Sequence, residues 1–201
     1  LYDPVFSIKD VIKQRSLNDI DKNFEKNNII MVGRLTKQKN FEIFIKATEQ
    51  LYKRNLLKLN TYIFGSGEDK EKLNSLIKKH NLEKKIHLMG SKKNIHKYYS
   101  NSKVFILTSL WEDPGFVLIE AALNNLFIIS SDCKSGPREI MNDGNGGILF
   151  ENNNIDDLRK KIIDFTKLSE NEIKSKIVIS KKKIKRYSLF RHFKLLENYI
   201  N

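Results

Sequence analysis

The sequence has 201 residues, 40% of them hydrophobic and 10% aromatic, which allows one well-buried domain but leaves two cramped. Its 37 Lys and Arg residues outweigh 24 Asp and Glu residues, giving a net charge of +13, but aromatics are not interleaved with the basic residues, so no nucleic-acid partner is expected. No apolar run approaches the roughly 20 residues of a membrane-spanning helix, and a single cysteine, Cys133, excludes an internal disulfide framework and fits a reducing, cytoplasmic compartment.

The first 27 residues are polar and weakly periodic, which predicts a linker or N-terminal extension with one short helix at residues 8–14. After them, short apolar runs that end at glycine or polar residues predict strands at residues 28–32, 59–64, 86–89, 104–108, 126–130 and 148–150. Apolar faces of helical spacing predict helices between these strands, at residues 40–55, 73–80, 95–100 and 117–124. Three further helices are predicted after the last strand.

The predicted strands lack the alternation of apolar and polar residues that marks a sheet with one solvated face. A parallel sheet with helices on both faces is therefore expected. Right-handed crossovers make it an α/β, Rossmann-like, doubly wound sheet of about six strands. Because ligands of such sheets bind beyond the carboxyl ends of the strands, candidate site residues are sought in the loops that follow them.

Arg34 and Lys39 follow the first predicted strand, in the segment from Gly33 to Lys39. The planar guanidinium of Arg34 and the point charge of Lys39 suit a diphosphate group. Solvated basic residues of a lysine-rich chain are the alternative interpretation. The Gly-Ser-Gly turn at residues 65–67 lacks the third glycine of a dinucleotide fingerprint and is interpreted as a tight turn into a helix.

The segment after the fourth predicted strand is the richest in chemistry. Seven residues separate Glu112 from Glu120, the first before a predicted helix and the second inside it. Pro114 and Gly115 shape a turn whose exposed amides, at the helix start, can receive a phosphate. The two carboxylates can accept hydrogen bonds from sugar or ribose hydroxyls. Spacing alone leaves open the alternative of a helix-capping acid followed by an exposed glutamate.

No metal site is predicted. Asp19 and Asp21 have the D-x-D spacing of metal-dependent nucleotide-sugar sites, but no strand precedes them, so this is interpreted as a chance match. The four histidines show no metal-ligand spacing, and Cys133 has no partner ligand in the sequence.

These motifs, taken in order, resemble the C-terminal, donor-binding domain of the retaining GT-B glycosyltransferases that share an E-x7-E signature. The resemblance covers about residues 28–200, with Asp113 and Pro114 where the commoner signature has Gly-Phe. The matching segments are residues 32–35 with Lys39, residues 64–67, the base-side loop at residues 89–99, residues 104–109, the pair Glu112 and Glu120, and two later loops at residues 136–140 and 144–149.

The resemblance implies a site for a nucleotide-diphosphate sugar that needs no metal or other cofactor. Arg34 and Lys39 would neutralise the departing diphosphate, while Glu112 would contact hydroxyls of the transferred sugar and Glu120 those of ribose. The implied catalytic residues are Arg34, Lys39 and Glu112. The implied donor-binding residues are Gly33, Arg34, Lys39, Lys92 (near the base), Glu112, the amides of Gly115, Phe116 and Val117, and Glu120.

The implied function is transfer of a hexose or N-acetylhexosamine in the synthesis of cell-surface polysaccharide or glycolipid. A nucleotide-sugar epimerase of the same architecture and a non-catalytic sugar-nucleotide-binding module are the alternatives. Members of the family carry a preceding Rossmann-like domain, and residues 1–5 resemble the linker that follows it. We therefore expect an interdomain linker at residues 1–27, a nucleotide-sugar-binding domain at residues 28–201, and no transfer without the partner domain.

The basic residues are densest from Arg159 to Lys194. This stretch adds the hypothesis of peripheral contact with an anionic membrane or a lipid-linked acceptor, at the inner face of the cell membrane.

Overall fold

Six parallel strands form one sheet in the part of the chain that the structure describes. The computed structural model describes residues 6–7, 13, 20–21 and 24–200, so the helix predicted at residues 8–14 lies outside the described residues, except for position 13. The strands are β1 Ile29–Val32, β2 Thr61–Phe64, β3 Ile86–Gly90, β4 Val104–Leu107, β5 Phe127–Ser131 and β6 Ile148–Phe150. Their order, β3-β2-β1-β4-β5-β6, is that of a doubly wound sheet, and it confirms the predicted fold class.

Helices connect the strands and cover both faces of the sheet. A 3₁₀ turn, Ile184–Tyr187, precedes the last helix. The helices are α1 Phe41–Lys53, α2 Lys70–Lys79, α3 His96–Tyr99, α4 Phe116–Leu123, α5 Pro137–Ile140, α6 Ile155–Lys167, α7 Glu170–Lys183 and α8 Leu189–Ile200. None of them, within the described ranges, is long and apolar enough to cross a membrane.

One short helix corrects the sequence interpretation, which treated residues 136–140 as a loop. These residues form α5, with Gly136 before its first turn and Pro137 opening it. Proline suits that position because its fixed φ matches the helix and its missing N–H would have had no intrahelical partner.

Successive residues of the central strands enter two separate hydrophobic cores. Ile29 and Met31 of β1 pack with α1, α2 and α6, whereas Ile30 packs on the other face with α3, α4 and α5. Each of the three is at most 1% exposed. Burying such a side chain stabilises the fold by roughly 1.5–3 kcal/mol relative to exposure. Burial on both faces explains why the strands show no polar alternation.

The sheet order creates a crevice beside β1. The chain passes from β1 to β2 and β3 on one side, and then crosses to β4 on the other side, so Ile29 pairs with both Thr61 and Val104. The helices that follow β1 and β4 therefore lie on opposite faces of the sheet. A doubly wound sheet binds its ligands at such a switch point.

The Gly-Ser-Gly turn after β2 supports the loop after β1. The amide of Leu35 donates a hydrogen bond to the carbonyl of Ser66 at 2.9 Å. A Cβ atom on Gly65 would lie 1.9 Å from the carbonyl oxygen of Gly33. The close backbone approach accounts for the glycine without a nucleotide contact.

Substituting Gly65 with alanine should destabilise the fold by more than about 2 kcal/mol, because the new Cβ would overlap the Gly33 carbonyl and the φ of +144° is unfavourable for alanine. Gly90→Ala is the matched control, since Gly90 has a φ of +67° but nothing within 4 Å of the added Cβ. Its cost should be about 1 kcal/mol. Urea unfolding measures both, and equal losses would contradict the steric explanation.

Candidate functional site

Backbone and side-chain hydrogen bonds join the loop after β1 to the loop after β4. The amide of Leu110 donates to the carbonyl of Gln38 at 2.8 Å, and the Gln38 side chain donates to the carbonyl of Trp111 at 3.0 Å. The Thr108 hydroxyl donates to the carbonyl of Lys39 at 2.8 Å. These three bonds hold the two loops at the crevice as one unit.

Lys39 and Glu112 form a largely buried ion pair at this junction. Lys39 Nζ lies 2.6 Å from Glu112 Oε1, and the two side chains are only 12% and 5% exposed. The Ser109 hydroxyl donates to the same carboxylate oxygen. The Lys39 stem passes beside Gly33, where an added Cβ would lie 3.2 Å from it. Glu112 is therefore neither a helix-capping residue nor an exposed surface acid.

A groove of about 330 Å³ lies beside this pair, at the ends of β1 and β2. Five of the predicted donor-binding residues line it: Gly33, Arg34, Lys92, Val117 and Glu120. Arg34 is exposed and forms no ion pair with any residue in the described ranges. Its guanidinium, which offers five donors, is thus available to an anion in the groove.

The start of α4 brings the remaining predicted residues to the same region. Gly115 precedes the helix with a φ of +88°, and a Cβ there would lie 3.5 Å from Cβ of Glu112. Phe116 and Val117 form the first turn, whose amides have no intrahelical acceptor and carry the positive end of the helix dipole. An anion beside Arg34 and Val117 would face this turn.

The loop before α4 is held by a second glycine contact. The Asp113–Pro114 peptide bond is cis, and a Cβ on Gly136, whose φ is +90°, would lie 2.1 Å from the carbonyl oxygen of Pro114. The amide of Glu112 also donates to the carbonyl of Lys134 at 3.2 Å. The β5–α5 loop thus packs against the segment from Glu112 to Pro114 and hydrogen-bonds to it.

Glu120, on α4, is partly buried and faces the groove. The hydroxyl of Tyr99 donates to its Oε2 atom at 3.2 Å. Burial raises the pKa of the Glu120 carboxyl, and the hydrogen bond from Tyr99 opposes this shift. A partly desolvated carboxylate in a groove is a strong hydrogen-bond acceptor for a ligand hydroxyl.

Lys92 lines the groove but already has a partner. Its Nζ lies 2.9 Å from Oδ2 of Asp21, which also accepts a hydrogen bond from the Tyr98 hydroxyl at 2.7 Å. The hydrogen bonds from Tyr98 and Lys92 lower the pKa of Asp21. The ion pair with Asp21 therefore holds the Lys92 side chain in place. Asp19, the other acid of the D-x-D match, lies outside the described residues.

Sequence reasoning missed the hydroxyl donors that hold the two glutamates. Ser109 is the second residue after β4, so the rule that sites lie beyond the carboxyl ends of strands could have found it. Tyr99 lies 21 residues before Glu120, and no spacing rule connects them. Among the residues that the structure describes, no group of three or more His, Cys, Asp or Glu side chains has a metal-binding arrangement.

Residues 12–184 match the family model of "Glycosyl transferases group 1". The chain is 37% identical over 144 residues to the amylovoran biosynthesis glycosyltransferase AmsD of Erwinia amylovora, covering 71% of this chain and 40% of AmsD. It is also 37% identical over 143 residues to a Campylobacter jejuni transferase, covering 71% of this chain and 38% of that protein. That relative is named N-acetylgalactosamine-N,N'-diacetylbacillosaminyl-diphospho-undecaprenol 4-alpha-N-acetylgalactosaminyltransferase.

The structure resembles a crystal structure of a Staphylococcus aureus TarM mutant in complex with fondaparinux, α-GlcNAc-glycerol and UDP. The TM-score is 0.76 at 26% identity, over 92% of this chain and 37% of TarM. The chain belongs to the group 1 glycosyltransferase family and corresponds to the C-terminal portion of a GT-B fold. It spans less than half the length of these two curated relatives.

Breaking the buried ion pair should cost more than breaking an exposed one. Lys39→Met leaves the Glu112 carboxylate buried without its cation, so the free energy of unfolding should fall by about 3 kcal/mol. Lys39→Met combined with Glu112→Gln should recover most of that loss, because no charge remains unpaired.

Lys53→Met is the matched control for the ion-pair experiment. It breaks an i,i+4 pair with Glu49 in which the lysine is 50% exposed, and it should cost less than about 1 kcal/mol. Urea unfolding of the four proteins measures these differences. Similar losses for Lys39→Met and Lys53→Met would contradict the argument from burial.

Proposed function

We propose that this chain is the donor-binding domain of a metal-independent, retaining glycosyltransferase that uses a nucleotide-diphosphate hexose or N-acetylhexosamine. The observation that carries the proposal is the convergence of cations, helix amides and two carboxylates at one crevice. Arg34, Val117 and Glu120 line a single groove, and the Lys39–Glu112 pair adjoins it through Gly33.

Each group has a chemical task in such a transfer. The leaving nucleoside diphosphate gains negative charge as the glycosidic bond breaks. Arg34, the remaining donors of the Lys39 ammonium and the first-turn amides of α4 would stabilise that charge without reorganisation. Glu112 would accept hydrogen bonds from the transferred sugar, and Glu120 from ribose. Fixed protein charges of this kind replace a divalent cation in the proposed mechanism.

The names of the relatives support the proposed donor and product by analogy. AmsD is named for amylovoran biosynthesis, and the Campylobacter jejuni relative for a diphospho-undecaprenol acceptor. TarM was crystallised with UDP. These names support a uridine-type donor and a role in cell-surface polysaccharide or glycolipid synthesis. The proposed partners are the nucleotide sugar and the Rossmann-like domain that forms the other half of GT-B enzymes.

Calorimetric titration of the purified protein with UDP and GDP in EDTA should reveal binding of one nucleotide. Arg34→Ala and Glu120→Ala should each weaken that binding by about tenfold, because each removes a charge-assisted hydrogen bond. The only tryptophan of the sequence, Trp111, is 50% exposed and precedes Glu112. Its fluorescence supplies an independent reading of the same titration.

Lys37→Ala is the control for the nucleotide titration, since Lys37 is an exposed cation of the same loop that does not line the groove. It should leave the affinity within about threefold of the wild type, because Lys37 does not line the groove and salt screens an exposed charge that makes no direct contact with the ligand. No binding at millimolar nucleotide, or equal losses in all three variants, would contradict the proposed donor site. Binding that requires a divalent cation would contradict the metal-independent mechanism.

The proposal includes peripheral contact with an anionic membrane through the C-terminal basic stretch. Residues 174–194 contain no Asp or Glu. The basic residues of the segment are Lys174, Lys176, Lys181, Lys182, Lys183, Lys185, Arg186, Arg191 and Lys194. Each Lys or Arg near an anionic bilayer contributes about 1 kcal/mol to attraction. Such contact would keep the domain close to a lipid-linked acceptor.

Vesicle sedimentation tests the membrane contact. Vesicles containing phosphatidylserine should bind the protein, and neutral phosphatidylcholine vesicles should not. Replacing Lys182, Lys185 and Lys194 together with glutamate should lower the partition coefficient at least about tenfold. The same change at the exposed residues Lys58, Lys78 and Lys79 is the matched control. Equal sedimentation with both kinds of vesicle, or equal losses in both variants, would contradict the contact.

A further inference from the structure

Tyr99 is a buried residue whose hydroxyl reaches the wall of the proposed donor groove. Its side chain is 0% exposed. Its ring packs in a T-shaped arrangement against Phe105 of β4, with centroids 5.9 Å apart, and against His96, at 6.1 Å. The hydroxyl donates to Oε2 of Glu120 at 3.2 Å. A rigid side chain in the core therefore ends at a carboxylate of the groove.

The same two helices are joined a second time. The side chain of Asn124, which follows α4, lies 2.9 Å from Nδ1 of His96 at the start of α3. Asn124 also donates to the carbonyl of Glu120 at 2.8 Å. These contacts fix the backbone of Glu120 relative to α3. The Tyr99 hydroxyl can then control the orientation of the carboxylate itself.

Only one donor within the described residues reaches the Glu120 carboxylate, the hydroxyl of Tyr99. Oε1 is therefore left for a group in the groove that Glu120 lines. Burial and the nearby carboxylate raise the pKa of Tyr99 well above its ordinary value. The hydroxyl consequently stays protonated and remains a donor at neutral pH. In a site of low dielectric this hydrogen bond is stronger than one in water.

We propose that Tyr99 is a positioning residue, which holds the Glu120 carboxylate with one oxygen turned to the groove to receive the vicinal hydroxyls of a nucleotide's ribose. The inference rests on the proposed donor site and adds to it the residue that orients the ribose contact. A glutamate side chain without such a donor samples several rotamers and loses that freedom when ligand binds. Tyr99 removes this cost before binding.

The test compares two ligands that differ only at the ribose. The purified protein is titrated with UDP and with its 2′,3′-dideoxy analogue, or with the GDP pair if GDP is the nucleotide bound. The wild type should bind the ribonucleotide about tenfold or more tightly than the analogue, because the analogue cannot donate a hydrogen bond to the charged Glu120 carboxylate. Tyr99→Phe should reduce this preference to within about threefold by weakening the ribonucleotide, leaving the analogue almost unchanged.

Tyr98→Phe is the matched control, because it removes a neighbouring buried hydroxyl that donates to Asp21 instead. It should keep the wild-type preference for the ribose hydroxyls. Tyr99→Met removes the hydroxyl while keeping an apolar side chain, and it must give the same loss of preference if Tyr99→Phe does not fold.

The outcomes separate this inference from the proposed function. A folded Tyr99 variant that keeps the wild-type preference overturns the positioning role. So does an equal loss of affinity for both ligands, which is what a merely structural role produces. A wild type that binds both ligands equally overturns the ribose contact but leaves donor binding intact. A wild type that binds neither UDP nor GDP overturns the donor site and this inference with it.

Discussion

The ion pair between Lys39 and Glu112 is the interaction on which the rest of the candidate site depends. It joins residues 73 positions apart in the sequence, at the ends of β1 and β4. Burying a charge is costly unless it is paired and hydrogen-bonded, so the two loops are constrained to meet there. The groove beside the pair, with Arg34 and the first turn of α4, exists in this form because those loops are held together.

Both glutamates of the E-x7-E signature accept a hydrogen bond from a side-chain hydroxyl. Each is held by a hydroxyl donor behind it, Ser109 for Glu112 and Tyr99 for Glu120. Glu112 is also neutralised by Lys39, whereas Glu120 has no cation within the described residues and its pKa is raised by burial. A carboxylate without a fixed cation keeps more of its hydrogen-bonding capacity for a ligand. This difference agrees with the proposal that Glu112 contacts the transferred sugar and Glu120 contacts the ribose.

The cations of the site differ in whether they already form an ion pair. Lys39 is committed to Glu112, Lys92 to Asp21, and Arg34 is exposed without an ion-pair partner in the described ranges. An anion that entered the groove would therefore meet the available guanidinium of Arg34, the ion-paired ammonium of Lys92 and the amides at the start of α4. This arrangement offers charge to a diphosphate without leaving several like charges unpaired in the empty site.

The sequence alone determined the approximate positions of the six strands and of every described helix except α5, the fold class and the loops that hold the candidate residues. Burial on two faces produces continuous apolar runs such as residues 29–32 and 104–107. A sheet of such strands binds ligands at their carboxyl ends. Glu112 and Glu120 became candidates through the resemblance to the E-x7-E signature, because their spacing alone left a helix-capping acid as an alternative; one precedes α4 and the other lies on it. Local signals of this kind depend on residues close in the chain, and the sequence contains them.

Only the tertiary structure decided which groups meet. It paired Lys39 with Glu112, assigned Lys92 to Asp21, and brought Tyr99 from α3 to Glu120 on α4. It also made residues 137–140 a helix that the sequence interpretation had treated as a loop. These contacts join segments far apart in the chain, and they follow from how strands and helices pack, which periodicity and spacing do not encode.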